Sequence, residues 1–272
     1  MRKLLITLAV LTLVFAACAK KSPQATGSAS PSATTSTSGS TTVHLTHMPR
    51  GTAQIAYDAS TKQLTVTVQA TGLAPSTTHY EGIGKGSCTS SQGPLYPLNP
   101  LVADKQGVGQ TTTVVPNVAA VPSGAFVHIH TGATQATKGL GLACANLAGS
   151  AGTLTFGPDA TGGASGSNVT ATAVLTLDAT AKTLTVKLTV DGLAPGSTHP
   201  DHIHLGTCES QGPVVLGLKD LTADSSGHAE VTNTLPNVPS IQFGTWYVNV
   251  HQGPGLATQE QFAPIACGNV TR

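Results

Sequence analysis

The two halves of this chain align on each other with almost no gaps. Asp58-Ala-Ser-Thr-Lys-Gln-Leu-Thr-Val matches Asp178-Ala-Thr-Ala-Lys-Thr-Leu-Thr-Val, and Gly72-Leu-Ala-Pro-Ser-Thr-Thr-His79 matches Gly192-Leu-Ala-Pro-Gly-Ser-Thr-His199. Ser91-Gln-Gly-Pro94 matches Ser210-Gln-Gly-Pro213, and Leu142-Ala-Cys144 matches Ile265-Ala-Cys267. A duplication of this length means that one fold must serve twice. Each copy carries one early and one late cysteine. Four cysteines allow three pairings on counting alone. The repeat selects Cys88–Cys144 and Cys208–Cys267, one bridge per copy. Each closes a loop of roughly sixty residues and stabilises its domain by on the order of 4 kcal/mol.

Within each copy the local pattern is that of strands. Thr52–Asp58 and Gln63–Gln69 largely alternate polar and apolar residues, as do Thr172–Asp178 and Thr183–Val190. A period of two buries one face and wets the other. The connections between them are short enough for hairpins. Thr, Ser, Gly, Ala and Val dominate the chain, and no segment after the N-terminus has the spacing of a long amphipathic helix. The fold class expected is all-β: two tandem Greek-key β-sandwiches or flattened barrels, each with one disulfide, over residues 42–148 and 149–272.

The N-terminus has the pattern of an export signal. Arg2 and Lys3 precede an apolar run from Leu4 to Phe15, which is short for a bilayer span, and then Ala16, Ala17 and Cys18. Phe15-Ala-Ala-Cys18 resembles the cleavage box of bacterial lipoproteins. That resemblance implies a signal peptide over 1–17, lipidation of Cys18, a membrane as partner and a place in the cell envelope. Residues 18–41 are rich in Ser, Thr, Pro and Ala and have the composition of a flexible tether. Charged residues make up only 9% of the chain and the net charge is +1, which excludes a basic nucleic-acid-binding surface.

The chemistry concentrates in His199-Pro-Asp-His202-Ile-His204-Leu-Gly206-Thr-Cys208 and in Trp246-Tyr-Val-Asn-Val-His251. On a strand, His202 and His204 share a face about 7 Å apart at their Cα atoms. His251 and Asn249 share a face on a second strand. Neutral imidazoles suit copper or zinc, so His202, His204 and His251 are the candidate ligands, with His199 and Asn249 as supporting groups. In the first copy Gly82 and Gly84 stand where His202 and His204 stand. There His79, His128 and His130 are the weaker candidate set. Trp246 and Phe262 are expected in the core. No nucleophile–base pair, catalytic carboxylate pair or phosphate-binding glycine loop is present.

These residues resemble the copper/zinc superoxide dismutases. That family has His-x-His on its copper strand, then a cysteine, a Gly-Pro segment, a third copper His ending a Val-rich strand, and a closing Ala-Cys-Gly. Here the matches are His202-Ile-His204, Cys208, Ser210-Gln-Gly-Pro213, Val248-Asn-Val-His251 and Ala266-Cys-Gly268. Tyr247-Val-Asn-Val-His251 is also similar to a strand ending in chordin-type (CHRD) domains, which lack a settled catalytic role. The dismutase resemblance implies one copper ion in the second copy. It also implies two departures. Val214, and Leu95 in the first copy, replace the His that bridges copper and zinc, and no His-rich loop follows, so zinc is not expected. Pro264 and Gly141 replace the family's active-site Arg. Superoxide disproportionation is the activity the resemblance implies, and these departures weigh against efficient turnover. The other reading is a non-catalytic envelope or adhesion module without metal.

Overall fold

The computed structural model describes residues 37–158 and 169–272. The expected signal segment, Cys18 and nearly all of the tether lie outside these residues. Both copies belong to one compact unit, Ser36–Arg272. Strand β1 (Gly39–His47) comes first. The first copy supplies β2 (Arg50–Asp58), β3 (Gln63–Thr71), β4 (Thr78–His79), β5 (Glu81–Ser87), β6 (Ser90–Pro97), β7 (Leu101–Val102), β8 (Gly109–Val115), β9 (Ser123–His130) and β10 (Gly141–Ala148). Next come β11 (Gly152–Thr155) and β12 (Gly157–Pro158). The second copy supplies β13 (Thr170–Asp178), β14 (Thr183–Asp191), β15 (Thr198–His199), β16 (Asp201–Gly206), β17 (Gln211–Gly217), β18 (Leu221–Thr222), β19 (Ala229–Leu235), β20 (Trp246–His251) and β21 (Pro264–Asn269). Helix α1 (Gln259–Phe262) lies between β20 and β21.

The expected hairpins form. β2 and β3 pair up to Asp58↔Gln63, and β13 and β14 up to Asp178↔Thr183. Each turn is held by its aspartate. The Asp58 carboxylate accepts the Ser60 and Thr61 amides at 2.8 and 3.3 Å, and that of Asp178 accepts the Thr180 and Ala181 amides at 2.9 Å each. Alternation then buries Leu64, Val66, Val68 and Ala70 of β3, and Leu184, Val186, Leu188 and Val190 of β14.

Three strands, β1, β11 and β12, cross between the copies. In the first domain, a sheet ordered β11-β2-β3-β8 packs on one ordered β12-β10-β9-β5-β6. In the second, a single curled sheet runs β17-β16-β20-β21-β1-β13-β14-β19. There β1 does the work of β11 and β12 together. Its residues 39–45 pair with β13, and Thr46 and His47 pair with Cys267 and Ala266 of β21. The register is equivalent, since His44 faces Thr172 and Thr155 faces Thr52. Val43 and Leu45 accordingly lie in the second core, and Phe156 lies in the first.

The sheets therefore do not divide where the sequence copies divide, between 148 and 149. Thr46 and His47 pair with β21 of the second domain, and after Met48 and Pro49 the chain enters β2 of the first.

Both disulfides form with the expected pairing, at Cα–Cα separations of 5.6 Å for Cys88–Cys144 and 5.8 Å for Cys208–Cys267. Cys208 and Cys267 pack with Met48 and Tyr247 in a small cluster of their own.

Candidate metal centre

β16 lies between β17 and β20 and brings the histidines together. Ile203, Val248 and Val250 point into the second core. The alternate residues His202, His204, Tyr247, Asn249 and His251 share the opposite face, with His202 across from Asn249 and His204 across from Tyr247. Ring centroids are 5.6 Å apart for His202 and His204, 5.4 Å for His202 and His251, and 5.9 Å for His204 and His251. One nitrogen from each ring lies within 4.8 Å of the other two. Among the described residues this is the only set of three or more His, Cys, Asp or Glu so gathered. A three-coordinate ion about 2.0–2.1 Å from each nitrogen needs nitrogens about 3.5 Å apart. Each ring then closes inward by less than about 1 Å.

Hydrogen bonds decide which nitrogens are available. His204 Nδ1–H donates to the Gly212 carbonyl at 3.0 Å, and His251 Nδ1–H donates to the Phe262 carbonyl at 2.7 Å. A carbonyl only accepts, so each ring carries its proton on Nδ1 and has its lone pair at Nε2, unpartnered in His204 and met in His251 by the Asn249 amide at 3.4 Å. His204 Nε2 and His202 Nδ1 are buried without any hydrogen-bond partner. Buried polar atoms ordinarily find partners, and unpartnered imidazole nitrogens in a converging histidine set are what a metal would satisfy. Burial pushes the proton affinities of His202 and His204 down, and that of His251 down to about 3. All three are neutral at pH 7, the form that coordinates.

The supporting groups divide. His199 uses both ring nitrogens, with Nδ1–H donating to the His251 backbone carbonyl at 3.0 Å and Nε2 bonded to the Ser197 side-chain hydroxyl at 2.6 Å. It positions His251 and has no nitrogen left for an ion. Asn249 touches His251 Nε2 only at 3.4 Å. Tyr247, fully buried, stacks on His204 at 4.9 Å and 20°. Phe262 departs from its expected core place: its ring lies 4.8 Å from His251. Sequence reading missed this pair of aromatic walls, and Tyr247 carries a signal only through its alternation with Asn249 and His251.

In the first domain the centre is filled in. A Cβ on Gly84 would meet the Phe126 ring at 2.6 Å, and a Cβ on Gly82 would meet the Tyr80 hydroxyl at 2.8 Å and His128 Nε2 at 3.1 Å. Aromatic rings thus occupy the volume that His202 and His204 fill in the second domain. His128 Nδ1 and His130 Nε2 lie 2.9 Å apart. His79 repeats the role of His199, bonding Thr77 and the His130 carbonyl through its two nitrogens. The set His79, His128 and His130 is not brought together on one point.

Two buried acids were not anticipated. Glu81 and Asp201, equivalent in the two copies, are fully buried, and none of their carboxyl oxygens has a hydrogen-bond partner. Burial pushes Glu81 up to about 9 and, with help from the Asp220 charge, Asp201 up to about 8.

Residues 145–255 match the CHRD domain family. The matched segment opens before β11, the strand that folds into the first domain, and runs past His251. It contains all three converging histidines. No curated protein matches the chain.

Proposed function

We propose that this chain is an exported, lipid-anchored module of CHRD type that holds one copper ion between His202, His204 and His251. The observation that carries the reading is the convergence of three neutral imidazoles, two with their free nitrogen set by a backbone carbonyl. Bound copper would supply one-electron redox chemistry. The protein's own part is to hold the rings and keep them unprotonated. We also read each domain as a Greek key of superoxide-dismutase type. Supporting this, the chain passes from β17 at one edge of the curled sheet to β19 at the other. Pro264, buried, stands where the dismutases carry Arg, so no cation from that position draws superoxide in. Copper holding therefore stands ahead of turnover in this reading.

Titration of copper into the full chain tests it. One ion per chain is expected, lost in His202→Ala/His204→Ala. Binding weaker than about micromolar, −8 kcal/mol or less in magnitude, overturns the copper reading. The second reading, a metal-free envelope module favoured by the CHRD match, would then stand. Superoxide consumption above that of free copper would add the dismutase activity.

A further inference from the structure

The first domain has glycines where the second has His202 and His204, yet it grips the segment that positions the third histidine of the second. Gln259, at the start of α1, donates both hydrogens of its side-chain amide to the first domain, to the Thr78 carbonyl at 2.8 Å and the Thr131 carbonyl at 2.5 Å. These carbonyls flank His79 and His130. The next residue, Glu260, accepts from the Thr131 hydroxyl at 3.5 Å. Ala263, just past α1, is fully buried in the hydrophobic core of the first domain, not the second. Between these anchors sits Phe262. Its carbonyl holds the His251 Nδ1 proton and its ring lies against the His251 ring.

A four-residue helix has no stability of its own. A Thr258/Gln261 capping box closes it locally, and its placement comes from what it docks on. We propose that the first domain is a positioning platform for the histidine centre: through Gln259 and Ala263 it fixes α1, and through the Phe262 carbonyl α1 fixes the ring orientation and tautomer of His251. This gives the duplicated copy a use that survives the loss of its own ligands. It rests on the copper reading for its purpose, but not for its geometry.

Gln259→Ala in the full chain removes both amide hydrogen bonds, and Gln259→Glu places a carboxylate against two carbonyl oxygens. Gln242→Ala, at an exposed remote site, is the control. The first readout needs no metal: solvent exchange of the His251 Nδ1 proton, followed by nitrogen-15 NMR. It is expected to speed up about tenfold in both Gln259 variants while the melting temperature holds. The second is copper affinity by chelator competition, expected to weaken about tenfold, as when an outer partner of a ligating histidine is lost. Exchange unchanged from wild type overturns the platform, whatever the copper result. A wild-type chain that binds no copper but shows the exchange difference keeps the platform and removes the copper reading.

Discussion

Glu81 offers a direct measurement of what burial costs this fold. Its carboxyl group is pushed from 4.5 up to about 9 and neither oxygen is hydrogen-bonded. In the unfolded chain it ionises near 4.5; in the folded chain it stays protonated until about 9. Between those values the folded state binds one more proton, so stability falls as pH rises, by about 1.4 kcal/mol per pH unit. By pH 7 the accumulated loss is about 3 kcal/mol. The buried histidines act in the opposite sense. Their proton affinities are lowered, so they destabilise the fold below 6.5 and contribute no slope above it. In the window from pH 7 to 8.5 the acids dominate, and His228, whose proton affinity its hydrogen bond to Asp191 raises, adds the same contribution to wild type and variant. Asp201 shares the slope up to about 8. Urea unfolding of wild type and Glu81→Gln at pH 7.0, 7.5, 8.0 and 8.5 reads the effect. The variant should lose about one proton's worth of slope and be the more stable protein at pH 8. If both chains show the same slope over this window, Glu81 is ionised or solvated in the folded state and the argument from its burial fails.

Three further outcomes follow from the geometry. The second copy expressed alone from β13 onward, residues 169–272, lacks β1 and also β11 and β12, and should fail to give a cooperative melt. Appending residues 39–47 should restore it, because Val43 and Leu45 each contribute about 1.5–3 kcal/mol to that core; a cooperative melt without them would refute the strand exchange. Gly82→His/Gly84→His should create no second copper site and should lower the melting temperature, since the Phe126 ring and the Tyr80 hydroxyl already fill that space. Cys18→Ser should abolish incorporation of labelled palmitate and release the chain from membranes; label retained in that variant would refute the lipid anchor.

The duplication made the cysteine pairing and the two hairpins legible, because equivalent letters at equivalent spacing must do equivalent work. His202, His204 and His251 were legible for a related reason. A period of two puts alternate residues of a strand on one face, and all three lie on strands that the pattern defines. The strand exchange was not legible. β1 and the segment 152–158 share alternation but few letters, and both can fill the same place beside β2 or β13, so no local pattern says which takes which. Phe262 and Gln259 escaped for another reason. They sit on a loop and a single helical turn, where position is set by docking on the other domain and not by periodicity. Glu81 and Asp201 were invisible because an acid next to a strand start ordinarily faces water.

The crossing of β1 also sets an order of events during synthesis. All the strands of the first domain have emerged once residue 158 is made. β1, made before all of it, has to wait for β13 and finally for Cys267, its partner across more than two hundred residues. Until then a nine-residue strand with Val43 and Leu45 bare stands open at both edges. A neighbouring chain further along in synthesis presents the same β13 and β21. Crowded nascent chains can therefore satisfy each other's β1 before their own, and a linked dimer is the by-product expected of making this protein too fast.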